Sequence, residues 1–284
     1  MTFLSSNRGG TGVGHLYNIY LLPPSVKLVV AGNPTLDIIY TATGVYKRYG
    51  GPIYYAALAL RALGAEVEVM GVASPDDVEK LGRIFAEMGV RPRLFESDFT
   101  TTFELDYRTR PRSVKLLKKP SRGIGRVAGD IVILSPVYDE LKSAEVDARI
   151  VVADLQGYLR SQSPLPRADL VHFSIDDIQL TLRELVHFAE RWPRVVYTLG
   201  EEGAYVLFDG SIYHINSAEV STDDTTGSGD VFLAVLTYFH LVKGLDILSA
   251  TCEASMYVAG FLLTRQIVRH EFNCVKRVVP MTQF

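Results

Sequence analysis

Cysteine is almost missing: Cys252 and Cys274 are the only two in 284 residues. Two are too few for a disulfide framework and neither stands at metal-ligand spacing, which accords with a reducing cytoplasm. Charge of one sign is missing too. Lys and Arg number 29 against 32 Asp and Glu, and the formal net charge of -3 gives no general attraction to nucleic acid. No apolar run reaches a bilayer-crossing length of about 18 to 20 residues, because the longest, after Asp230, is cut by His240 and Lys243. No membrane span is therefore expected. Asn and Gln are scarce, as in chains selected for heat resistance. What remains, 48% hydrophobic and 21% charged, suffices for one large core or two modest ones.

Residues 1–24 read as a leader, and 25–284 as a single domain. The leader lacks a charged start and a small-residue cleavage site, so a signal peptide is not expected. Its glycine run at 9–14 follows no strand and precedes no Gly-Lys-Ser/Thr, which sets it apart from a phosphate loop. Buried strands are expected at 28–31, 67–72, 131–134, 150–153, 170–173, 195–199 and 205–208. Helical stretches at 52–63, 77–88, 177–191, 230–242 and 247–263 alternate with them. That alternation predicts an α/β fold with a mainly parallel sheet covered on both faces, and ligands at the carboxyl ends of its strands. Two segments, 38–49 and 99–118, break the rhythm. Phe103, Leu105 and Tyr107 alternate with Thr102, Glu104, Asp106 and Arg108, the pattern of a small separate sheet. The first strand leads into Gly32-Asn33-Pro34 and not into a Gly-x-Gly-x-x-Gly turn, which disfavours a dinucleotide site. His172, His187, His214, His240 and His270 show no metal or triad spacing and are expected to be structural or solvent-facing.

The densest chemistry lies in Asp224-Thr225-Thr226-Gly227-Ser228-Gly229-Asp230, which runs straight into an apolar helical stretch. The first amides of a helix have no partner in the helix, the helix dipole makes that end positive, and glycine lets an anion approach the backbone. A helix cap alone would account for Asp, Thr or Ser here. It would not account for two glycines, three hydroxyls and two acids crowded into one turn. A carboxylate beside an anion site is unfavourable unless it has work, and taking a proton from a hydroxyl that attacks a phosphoryl group is such work.

This string resembles the second signature of the ribokinase-like (PfkB) carbohydrate kinases, usually Asp-Thr-Thr-Gly-Ala-Gly-Asp, with Ser228 in place of the alanine. The family's first signature is matched more loosely by the strand that ends in Asp37 and by Gly50-Gly51 ahead of a helix closing at Leu63-Gly64. The resemblance implies a three-layer αβα sandwich with a small β-sheet lid over the site, acting as an ATP-dependent kinase of a sugar or polyol. It makes Asp230 the catalytic base and Gly227, Ser228 and Gly229 the anion hole. Asp37, with Asn33, Gly50, Gly51, Tyr55 and Gln156, would hold the substrate. Thr198, Gly200 and Gly203, which resemble the family's Thr-x-Gly-x-x-Gly segment, would meet the nucleotide with Thr225 and Thr226. Asp177 would serve magnesium, directly or through water, and Asp224 a monovalent cation such as potassium. The implied setting is cytoplasmic, without nucleic acid or membrane, and as a homodimer paired through the lid.

The segments at 101–107, 152–160 and 172–177 resemble the branch that includes myo-inositol kinases. Two departures from the family stand out. Tyr55 replaces the Asn usual in ribose kinases, which changes the donor pattern of the sugar pocket, and Ser174 with Asp177 replaces the usual Asn and Glu. A nucleoside or keto-sugar acid is the alternative substrate within the family. The alternative outside catalysis is a nucleotide-binding protein without turnover, against which the retained Asp230 argues.

Overall fold

A computed structural model describes residues 26–109, 113–222 and 224–280; the leader expected over 1–24 lies outside them. In chain order its strands and helices begin β1 (Leu28–Ala31), β2 (Thr35–Thr41), β3 (Gly44–Gly50), α1 (Pro52–Ala62), β4 (Val67–Ala73), α2 (Pro75–Glu87), β5 (Arg91–Glu96), β6 (Thr101–Asp106) and β7 (Ser113–Lys118). They continue with β8 (Arg126–Leu134), β9 (Glu145–Asp154), α3 (Gln156–Ser161), β10 (Leu170–Ser174), α4 (Leu182–Ala189), β11 (Arg194–Thr198), β12 (Ala204–Phe208), β13 (Ser211–Ile215), α5 (Ser228–Thr237), α6 (Ile247–Thr264) and β14 (Lys276–Val278).

Ten strands form the main sheet in the order β14-β13-β12-β11-β10-β9-β8-β1-β4-β5. From β5 to β11 every pairing is parallel, and β12, β13 and β14 complete one edge antiparallel. Alternation along β1 shows why the sheet has two cores. Leu28 and Val30 pack among side chains of α1, α2, α5 and α6, while Val29 and Ala31 pack on the opposite face with residues of α3 and α4. A strand buried on both faces must be apolar throughout, and all four residues of β1 are. The fold is therefore the ribokinase-like three-layer sandwich expected from the resemblance.

A second sheet runs β3-β2-β6-β7. Its outer pairings are antiparallel and its central one, β2 with β6, is parallel. Ile39, Phe103 and Leu105 turn inward to form a small core with Val137. In this sheet Asp37 lies opposite Arg48, so both side chains leave the same face.

Several boundaries differ from the sequence reading. Asp177 takes hydrogen bonds from the backbone and hydroxyl of Ser174, which fixes a turn where helix was expected; α4 starts only after Thr181, in a capping box with Glu184. The helix expected over 230–242 opens earlier, at Ser228, and loosens into a π turn over Tyr238–Val242. Strands β5, β13 and β14, and the short α3, were not expected at all. Arg and Lys on β5 and β14 face solvent on edge strands, so no apolar run marks them.

Two corrections concern the absences. Cys252 and Cys274 are joined in a disulfide that ties α6 to the chain before β14, so cysteine usage no longer supports a reducing compartment. Helix α6 is, by length and composition alone, long and apolar enough to cross a membrane, since Glu253 is its one charged residue; half of it is buried within the fold.

The end of α6 is fixed by close packing. A Cβ at Gly260 would fall 1.8 Å from the carbonyl oxygen of Val268, in the segment that follows the helix. Gly260→Ala is accordingly expected to cost about 2 kcal/mol or more in urea unfolding, since backbone cannot yield as a flexible side chain would. A loss below about 0.5 kcal/mol would contradict this packing.

Candidate active site

Helix α5 starts at Gly227, whose φ of 82 lies in the left-handed region and whose position has no side-chain cap. Glycine is required there twice over, since a Cβ would also lie 2.5 Å from the ring of Tyr55. The amide of Ser228 donates to the carbonyl of Thr225 at 3.1 Å and that of Val231 to Gly227 at 3.0 Å. Among the described residues, the amides of Gly227, Gly229 and Asp230 have no hydrogen-bond partner. Of the expected set, the amides of Gly227 and Gly229 are open, and that of Ser228 is spent on closing the turn. At Gly229 a Cβ would meet only His172, at an ordinary 3.6 Å, so internal packing does not demand glycine there. Its bare flank leaves the free amides approachable by an anion.

Asp230 stands on the first turn of α5, whose next seven residues, from Val231 to Thr237, are all buried in the core. Burial pushes its carboxyl well above the usual carboxylate range, and the charges of Asp154, Asp177 and Asp37 push the same way, against Arg160. Asp37 on β2 is itself buried, and its Oδ2 lies where a Cβ at Gly50 would come within 2.9 Å. The two carboxylates singled out from the sequence therefore share one electrostatic neighbourhood. Asp177 is also raised, first by burial and then by Asp154. Its Oδ2 accepts from Ser174 N at 2.8 Å and Oγ at 2.7 Å, leaving Oδ1 for a cation. Among the described residues no three His, Cys, Asp or Glu side chains form a metal cage. That arrangement fits magnesium, which is usually held by one or two carboxylates together with phosphates and water.

His172, expected to be structural or solvent-facing, is a buried member of this floor. Its Nδ1 lies 2.8 Å from Asp154 Oδ2 and its Nε2 3.3 Å from Thr198 Oγ1, and its ring packs on Phe232. Asp154 Oδ1 accepts the amide of Gln156 at 2.8 Å, which sets the start of α3 beside the site.

Asp224 does not stand open for a cation. Arg48 donates from Nη1 to Oδ2 at 3.0 Å and from Nη2 to Oδ1 at 3.4 Å, Tyr107 donates to Oδ1 at 3.2 Å, and the amide of Thr226 to Oδ1 at 2.9 Å. Tyr107 and Thr226 also join through their hydroxyls. Arg265 donates from Nη1 to the carbonyl of Asp224 at 3.1 Å and from Nη2 to that of Thr226 at 2.9 Å. Its guanidinium lies 3.8 Å from the Asp224 carboxylate and 4.1 Å from the Phe261 ring centre. These residues do not fit a monovalent cation, because the oxygens it would use already face guanidinium groups.

The remaining expected residues fall into place unequally. Tyr55 is a buried wall between Gly50 and Gly227, edge-on to Tyr54 and Phe261, and burial drives its phenol strongly upward. A cavity of about 310 Å³ behind it, lined by Arg48, Tyr54, Leu58, Phe261 and Arg265 among others, does not include Asp230. Asn33 is spent inside the frame, its Oδ1 accepting from Val72 N and its Nδ2 donating to Thr101. Gly51 needs its φ of 86 to pass the carbonyl of Asn33. Gly203 is pressed against the carbonyl of Ile215, so packing and not a ligand explains it, whereas Gly200 is open. Thr225 is exposed at the turn. Sequence reasoning gave no role to Arg48, Tyr107, Asp154, Arg160 or Arg265.

Residues 168–270 match the family described as pfkB family carbohydrate kinase. A 2-dehydro-3-deoxygluconokinase from Thermoproteus tenax is 36% identical over 69 residues, which span 23% of this chain and 21% of that relative. The fold is similar to a pyrophosphate-dependent kinase of the ribokinase family solved with a pyrophosphate analog and myo-inositol, with TM-score 0.70 and 21% identity over 86% of this chain and 97% of that one. It is also similar to a fructokinase from Vibrio cholerae O395 solved with fructose, ADP and potassium, with TM-score 0.65 and 20% identity over 86% and 94% of the chains.

The Asp224 cluster has a consequence for acid stability. Burial raises this carboxyl, but the Arg48 hydrogen bond and the donors of Thr226 outweigh it and bring it from 3.8 to about 2. A group depressed in the folded state stabilises it above the unfolded value and loses that contribution as pH falls through the folded one. Asp224→Asn is therefore expected to be less stable than the parent in urea at pH 7, with the gap closing as pH falls from about 4 towards about 2. A gap that stays constant over that range would show that the carboxylate charge is not what holds the turn.

Proposed function

We propose that this chain, whose residues 168–270 match the family described as pfkB family carbohydrate kinase, transfers the γ-phosphoryl group of ATP to a hydroxyl of a small sugar or polyol. The observation that carries this reading is Asp230, a carboxyl raised by burial and then by Asp154, Asp177 and Asp37, beside the free amides of Gly229 and its own residue at the start of α5. Asp37 binds acceptor hydroxyls. Asp230 accepts the proton from the one that attacks, and its raised affinity for protons suits it to that task. The amides at the start of α5 and the helix dipole face the negative charge that builds on the transferred group. Magnesium, when bound with the donor at Asp177, supplies neutralisation of phosphate charge.

The small sheet carries Asp37 and Arg48 and joins the turn at Asp224, which supports its reading as a lid that excludes water, with Gly50 and Gly51 at its hinge. Its edge strands β3 and β7 expose Val45, Tyr46, Val114 and Leu117, which supports pairing of two copies there. Among acceptors myo-inositol stands first, because the relative with TM-score 0.70 was solved with it. A keto-sugar acid stands second, through the Thermoproteus tenax relative. Pyrophosphate is the rival donor, since that same ribokinase-family relative is described as dependent on it.

Purified protein tested with ATP and with pyrophosphate against polyols, sugars, keto-sugar acids and nucleosides should phosphorylate one of these classes. Asp230→Asn is expected to lower kcat by about 10²- to 10⁴-fold while the donor still binds. In the parent, the rate should rise with pH through an apparent pKa above the ordinary carboxylate value of 3.8, a limb shared with the neighbouring carboxylates and lost in the variant. Near-parental turnover by Asp230→Asn would remove Asp230 as the base. Tight ATP binding with no product from any acceptor would favour a nucleotide-binding protein without turnover.

A further inference from the structure

We propose that Arg265 takes the place of a monovalent cation in this chain, so that its phosphate-binding turn is held by a built-in charge and needs no potassium. One short stretch of backbone is already ligated by this side chain. A cation held at this turn would need its carbonyl and carboxylate oxygens free to face it. Here those groups are the carbonyls of Asp224 and Thr226 and the carboxylate of Asp224, and one guanidinium reaches all three, at 3.1, 2.9 and 3.8 Å.

Arg265 is placed for this by the fold. It is the C-cap of α6, in the left-handed conformation at φ 58, and its guanidinium lies over the ring of Phe261. The packing of Gly260 against Val268 fixes the backbone on either side of it. A guanidinium keeps its charge at every working pH, and its planar fork suits two acceptors set side by side. Arg48 adds a second positive charge on the same carboxylate. A third positive charge would find no free carboxylate oxygen there and two cations repelling it. The amide of Thr226 donates back to Asp224 Oδ1, so pinning these groups sets the path by which the chain enters Gly227 and presents the open amides of α5. Arg265 is thus a positioning residue. It acts through the turn and touches no reacting atom.

The test compares the parent protein and Arg265→Ala by thermal melting in potassium, sodium and choline chloride at equal ionic strength, with thallium-205 NMR as the direct binding probe. The parent should melt within about 1 °C in all three salts and bind no thallium ion, because nothing ligates the native state preferentially. Arg265→Ala frees the oxygens, so it should melt lower in choline chloride and regain stability in potassium chloride with saturable thallium binding. Should the variant not fold in choline chloride, recovery of fold on adding potassium reads the same response. A parent protein that binds thallium saturably, or melts higher in potassium alone, overturns the proposal. So does an Arg265→Ala that gains no response to potassium, which would make Arg265 an ordinary packing contact. The consequence for rate rests on the kinase reading: where turnover is found, the parent's kcat should change by less than about twofold between potassium and choline, and a larger activation overturns the proposal. Absence of turnover with every acceptor would sink the kinase reading alone, since melting and thallium binding do not depend on it.

Discussion

The carboxylate of Asp224 is where two separately built parts of the molecule meet, the small sheet and the end of α6. Arg48 comes from an outer strand of the small sheet, Tyr107 from the residue after β6, and Arg265 from the end of α6. None of these is near Asp224 in sequence, and the two that share the small sheet come from different strands of it. Because the same turn opens α5, any movement of the small sheet is felt at the helix start. Partly exposed ion pairs are individually weak, of the order of 1 kcal/mol or less. What matters here is shared geometry, in which one acid is held by several donors that cannot move independently.

That convergence explains why the turn was legible in the sequence and its supports were not. Asp224 to Asp230 is a local pattern: glycines, hydroxyls and acids within one turn, followed by a helix too apolar to be anything but core. Arg48 carries no such signal. Its role follows from register, since it lies opposite Asp37 in the β2 and β3 pairing. Asp154 and His172 are similar. They are register partners on adjacent parallel strands β9 and β10, so their contact is visible only once the sheet order is known. The alternation of strands and helices foretold the parallel sheet because buried strands are apolar on both sides. It could not foretell β5 or β14, edge strands whose Arg and Lys point to solvent.

Glycine gives a parallel lesson. Two motif glycines that looked alike on paper have opposite causes. Gly203 is demanded by a neighbouring carbonyl and would be kept without any ligand, while Gly229 has room for a side chain and yet lacks one. Only the second kind implies something outside the protein. The paired cysteines show the limit of composition from another side. Two residues say nothing about a bond until α6 and the chain before β14 are brought together.

The position of β1 also constrains how this chain can acquire its shape. The strand is the first of the main sheet, yet it lies between β4 and β8, and β8 ends only at Leu134. During synthesis one flank of β1 has no neighbour until β8, which ends at Leu134, has emerged, although its residues are wholly apolar. The intervening small sheet and α1 must then form while that flank is bare, which exposes the nascent chain to mispairing and to capture by chaperones.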